Sequence, residues 1–232
     1  TIPEALDDLD DVEYGDVSEQ TYFENVVQDY DGNWYDAVII GDQVWMAQNL
    51  RTTHYADGTP ITYEDKPVYS TTPAYSYPNY QESLVPSQGL MYNWFATTGG
   101  VASSATPSGV QGIAPNGWHI PSKAEWLVIN SVVGGSYSAK QVASKEGWDT
   151  SSSYGTPGYD SQTNNSTGLN LYPSGINEQG FSDPQRYGKT SYISVTDATS
   201  TGLYGYSQHG IVDYAAINIF YHGSGTGLYN HV

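Results

Sequence analysis

The 232 residues hold 25 Asp and Glu against 7 Lys and Arg, a formal net charge of −18. Such a surface repels a phosphate backbone, so nucleic acid is excluded as a natural partner. The absence of cysteine excludes disulfides, thiolate metal sites and a cysteine nucleophile. No stretch approaches the roughly 20 apolar residues of a membrane span, and the first residues show no basic region followed by an apolar leader. The 22 Tyr and 25 Gly, against 4 Phe and 2 Met, point to a β-rich, loop-rich chain with polar aromatic surfaces.

Residues 1–28 read as an acidic arm or linker, with Asp7, Asp8, Asp10, Asp11 and Glu13 close together. They lack the spacing, the glycine and the closing glutamate of an EF-hand loop. Residues 29–232 read as the folded domain. Its first signal is a hairpin: Trp34 to Ile40 is β-prone, Gly41-Asp42 is a two-residue turn, and Gln43 to Ala47 returns. Val44 and Met46 fall on one face and Trp45 on the other. Residues 59–88, rich in Tyr, Pro, Ser and Thr, predict an ordered surface loop without helix. Gly89 to Phe95 is a short apolar helix or strand, followed by a small-residue loop over 97–109.

The stretch Asn116 to Trp126 organises the centre. Pro121 pushes Ile120 towards extended backbone. Ser122 is an N-cap and Glu125, three residues on, completes a capping box. Trp126, Leu127, Ile129, Val132 and Val133 then follow at helical spacing until Gly134-Gly135. Trp118 and Trp126 are both expected in the core, and His119 as a packed, hydrogen-bonded residue. Beyond this helix, Ala139 to Trp148 predicts a second short helix and Leu169 to Gly175 a strand running into a turn. Further strands are expected over 192–195, 215–221 and 227–232.

These blocks, in this order, resemble the Fibrobacter succinogenes major paralogous domain. The residues that carry the resemblance are Asp31-Gly32-Asn33 with Tyr35; Ile40 to Leu50; Tyr55 to Ile61; Gly89 to Trp94; and Gly117 to Pro121 with Glu125-Trp126. The resemblance implies an α+β, C-type lectin-like fold, β-rich, with one or two short helices and long ordered loops. It implies a protein exported to the surface of a Bacteroidota-like bacterium, or carried on a virion. Two departures stand out. Ala114-Pro115 occupies the place of a family cysteine, and the sequence ends at Val232 near where the family's closing Val-Arg-Cys strand would begin.

No catalytic constellation is visible, so no enzyme, metal or cofactor is expected. His54, His119, His209, His222 and His231 form no close pair at metal-ligand spacing, and no Gly-x-Ser-x-Gly elbow appears. Formylglycine-generating enzymes, which the lectin-like fold also hosts, need reactive cysteines. The Glu-Pro-Asn, Gln-Pro-Asp and Trp-Asn-Asp motifs of calcium-dependent sugar binding are absent too. Binding is the better reading. The C-terminal third carries Tyr187, Tyr192, Tyr204, Tyr206, Tyr214, Tyr221 and Tyr229 among Gly, Ser and Asn, a composition like that of antibody paratopes. The expected ligand residues are Tyr204, Tyr206, Tyr214, Tyr229, Asn218 and His222, and the expected partner is a glycan or a protein receptor. The reading is an extracellular recognition module, a surface adhesin or a phage receptor-binding or decorating protein. The alternative is a structural component of a surface assembly or virion, its acidic arm docked on a neighbouring subunit.

Overall fold

In the computed structural model, residues 21–65, 72–134, 138–175, 187–199, 206–213 and 216–221 are described. The first sheet has the order β1-β2-β3 (Tyr22–Gln28, Trp34–Ile40 and Gln43–Met46), antiparallel throughout. Ile40 pairs with Gln43, so Gly41-Asp42 is the hairpin turn its residues predict. Gly41 sits at φ +66, a conformation glycine adopts without the steric cost other residues meet. β1 lies within the stretch read as an arm, yet it pairs with β2 and so joins the domain's first sheet. A bulge between Phe23 and Val27 is turned by Asn25, at φ 53, whose N–H donates to Asp36 Oδ1 at 2.8 Å.

This hairpin separates two apolar clusters. β2 alternates: Val38 and Ile40 face one cluster, Tyr35 the other. On β3, Trp45 opposite Val38 enters the first cluster and Met46 opposite Ala37 enters the second. In the first, Trp45 meets Trp126 edge-on, with ring centroids 5.9 Å apart. Ile129, Val142, Leu169, Leu171, Ile193 and Val195 complete it. The second gathers Leu50, Leu90, Tyr92, Ile113 and Ile120 around Tyr35.

A second small sheet joins β4 (Thr62–Tyr63), β5 (Ala74–Ser76) and β6 (Met91–Tyr92). Between β5 and β6 lies α1 (Val85–Gln88), a helix in the region read as helix-free. Pro86 explains it: proline is tolerated in the first turn, where its missing N–H costs no hydrogen bond. α2 (Trp94–Thr98) is capped by Asn93, whose side chain accepts from the Ala96 N–H at 2.8 Å. α3 (Lys123–Val133) is the long helix, and its capping box is complete. The Lys123 N–H, a first-turn donor beyond the reach of the helix's own carbonyls, donates to Asp197 Oδ2 at 2.6 Å, which ties the helix to β7.

α4 spans only Ser138–Val142, shorter than its residues suggest, because Ala143 turns to bridge Leu171. That bridge is isolated, so Leu169 to Gly175 is not a strand. The third sheet is an antiparallel meander of β7 (Ser191–Thr199), β8 (Tyr206–Asp213) and β9 (Ala216–Tyr221). The described residues thus form a mixed α+β protein of three small sheets and four short helices, more helices than the one or two expected. No described helix is long and apolar enough to cross a membrane.

Candidate functional site

The central corner and the hairpin turn face each other across a cleft of about 450 Å³. That volume lies within the range of small-molecule sites. One wall is the turn and β3, from Asp42 to Met46, with Leu50 below. The other is Gly117 to Pro121 with Glu125, and Pro107, Gly109 and Ala114 close one side. Apart from those three, every lining residue belongs to the two blocks Ile40 to Leu50 and Gly117 to Trp126. Two stretches far apart in the chain therefore build one cavity.

Glu125 sets the corner. Only 6 % exposed, it accepts the Ser122 N–H at 2.8 Å and the Ser108 N–H at 3.1 Å on Oε2. Its Oε1 receives His119 Nε2 at 2.7 Å. Burial works against its charge, but the His119 hydrogen bond, the Ser122 amide, the charge of His119 and the Ser108 amide outweigh it. The carboxyl is therefore held below its ordinary value. His119, its side chain 38 % exposed, is the hydrogen-bonded residue expected from the sequence.

Trp118 departs from expectation. Trp126 is fully buried, whereas Trp118 is half-buried, resting on the second cluster and lining the cleft. The reason is local: the Trp118 N–H donates to Pro115 O at 3.0 Å, closing a turn at Asn116-Gly117 that carries Trp118 to the rim. Opposite it, Trp45 Nε1 donates to Gln43 Oε1 at 3.1 Å. That bond consumes the carbonyl end of the amide and leaves Gln43 Nε2 without a partner among the described residues. The Asp42 carboxylate and Trp118 Nε1 likewise have no partner there.

Of the residues expected to bind, Tyr206 opens β8 opposite Thr199, and Asn218 lies in β9 opposite Ile211. Tyr204, Tyr214, Tyr229 and His222 lie outside the described residues. Tyr192, counted with that aromatic face, is buried at 4 % exposure and belongs to the core. Tyr187 takes a structural bond, its hydroxyl accepting from Gln88 Nε2 at 2.9 Å.

His54 is structural as well. Its Nδ1 lies 2.6 Å from Asp31 Oδ1, and Thr53 Oγ1 donates to Asp31 Oδ2 at 2.9 Å. These bonds tie the turn after β1 to the segment beyond Leu50. Among the described residues, no group of three or more His, Asp or Glu is placed to hold a metal ion.

The fold and cleft define a small, aromatic-rich α+β domain whose longest described helix is locked by a buried carboxylate. A family profile, the Fibrobacter succinogenes major domain, matches residues 38–204, and the chain belongs to that family. No curated protein and no solved structure matches it.

Proposed function

We propose that this domain is an extracellular recognition module of C-type lectin-like fold, displayed on a bacterial surface or a virion, that binds a glycan or protein receptor. The observation that carries the reading is the cleft. It presents a half-buried tryptophan beside a carboxylate and an amide donor that have no partner among the described residues, with the His119–Glu125 pair and apolar side chains completing its walls. Binding sites are built this way, with apolar walls for affinity and a few polar groups for orientation. The tyrosines of the C-terminal third, Tyr204, Tyr206, Tyr214 and Tyr229 with Asn218 and His222, are proposed as a second contact surface.

The test is binding of the fluorescently labelled domain to Bacteroidota cells. Trp118→Ala should abolish the signal if the cleft is the principal site. Tyr204→Ala with Tyr214→Ala should abolish it if the C-terminal face is. Labelling that survives both variants, or that the parent never shows, removes the recognition reading.

A further inference from the structure

Building on that reading, we propose that the cleft is a subsite for one uncharged, hydroxyl-rich sugar ring, stacked on Trp118 and oriented by Asp42 and Gln43.

Charge narrows the ligand first. The lining has two carboxylates, Asp42 and Glu125, and no Lys or Arg. His119 is the lone basic side chain there, and its Nε2 is already given to Glu125. Around this lies a chain of net charge −18. A sialic acid, uronic acid or sulfated sugar would bring an anion to a site with no cation free to meet it.

The free polar atoms narrow it again. Gln43 Nε2 and Trp118 Nε1 are donors, and the Asp42 carboxylate is an acceptor. An ammonium or guanidinium ligand would satisfy Asp42 but offers no acceptor to the two donors, which would lose water for nothing. A hydroxyl both donates and accepts, so neighbouring hydroxyls of one ring can meet both kinds of atom.

Shape supplies the rest. Half-burial holds Trp118 in place while part of it stays open, which suits stacking against the C–H face of a pyranose. Half-buried Val44 and exposed Pro107 add apolar surface over a floor of buried Met46, Leu50 and Ile120. A polyproline peptide would need a row of aromatic-walled slots. Here the second tryptophan, Trp45, is only 5 % exposed and offers no second face.

A one-ring subsite predicts weak binding, so the test uses methyl glycosides of glucose, galactose, mannose, xylose and N-acetylglucosamine at millimolar concentration. N-acetylneuraminic acid, glucuronic acid and a proline-rich peptide run beside them. Saturation-transfer NMR and tryptophan fluorescence are the readouts. At least one neutral glycoside should bind with a dissociation constant of about a millimolar, and the acidic sugars and the peptide should not. Gln43→Glu, which keeps an acceptor for Trp45 Nε1 while removing the Nε2 donor, and Asp42→Asn should each weaken binding roughly tenfold with the melting temperature little changed, which covers the case of an unstable Trp118→Ala. Preference for an acidic sugar or the peptide, no neutral glycoside bound, or binding indifferent to Asp42 and Gln43 would each overturn the assignment. If the glycosides fail while Trp118→Ala still abolishes cell binding, the ligand class is wrong and the recognition reading stands. If cell binding is also lost from the parent, both fall together.

Discussion

Glu125 is buried, yet it is charged and receives three hydrogen bonds. Its folded-state pKa lies below the ordinary value of 4.5, so the stabilisation it provides is complete above that value. It is lost as pH falls through the lowered folded-state value. Melting temperature followed from about pH 7 to about pH 3 should therefore drop, and Glu125→Gln should flatten the acid limb while costing about 1–3 kcal/mol at neutral pH. Ser122→Ala, which removes only the hydroxyl half of the capping box, should cost about 1 kcal/mol. The two tryptophans divide in the same measurement. Trp126→Ala should cost about 3–5 kcal/mol, and Trp118→Ala clearly less, because half-burial leaves less area to lose. The capping box was readable from sequence because its partners are three residues apart. The His119–Glu125 bond and the exposure of Trp118 were not, because both depend on how the Pro115 turn closes.

At the scale of elements, the hairpin turn is held from outside. A Cβ added at Gly41 would lie 2.8 Å from Val132 Cγ2 of α3, at a φ that L-residues rarely adopt. Gly41→Ala should cost about 1–3 kcal/mol in urea unfolding. Adding Val132→Ala should recover the part due to the clash and leave the part due to φ. The hairpin and α3 were legible because each has a strong local signal: β-branched alternation about a Gly-Asp turn, and a cap followed by helical spacing. α1, the end of α4 and the Leu171 bridge were misjudged because a few residues of helix or bridge are decided by their tertiary partners, for α4 by Leu171 opposite Ala143. The cleft was legible only in halves. Each wall is a recognisable block, but nothing in the sequence says that the two walls meet.

For the whole molecule, the acidic excess and the missing calcium-sugar motifs set an expectation about metal. Partner binding should survive EDTA, measured on the same cells as the labelled parent. A calcium-reversible loss would show that carboxylates outside the cleft take part. The charge also predicts that a cationic surface would capture the domain non-specifically at low ionic strength, and that about 0.15 M salt would release it. Specific binding at the cleft should persist at that salt, because stacking and neutral hydrogen bonds are little screened.

The hairpin's position between two apolar clusters has a kinetic consequence. Trp45 and Met46 are neighbours in the chain but are buried in different clusters, and their strand is bonded to β2 along its length. The amides of Trp45 and Ala47, the buried positions of this stretch that point at β2, can therefore reach solvent only when the clusters on either side of the hairpin give way. Deuterium uptake at those amides should be the slowest in the domain and should track global unfolding. A glycoside seated in the cleft touches the same strand, so it should slow that uptake further by a factor of one plus its concentration over its dissociation constant. Amides of the exposed loop around Tyr154 should be indifferent to it.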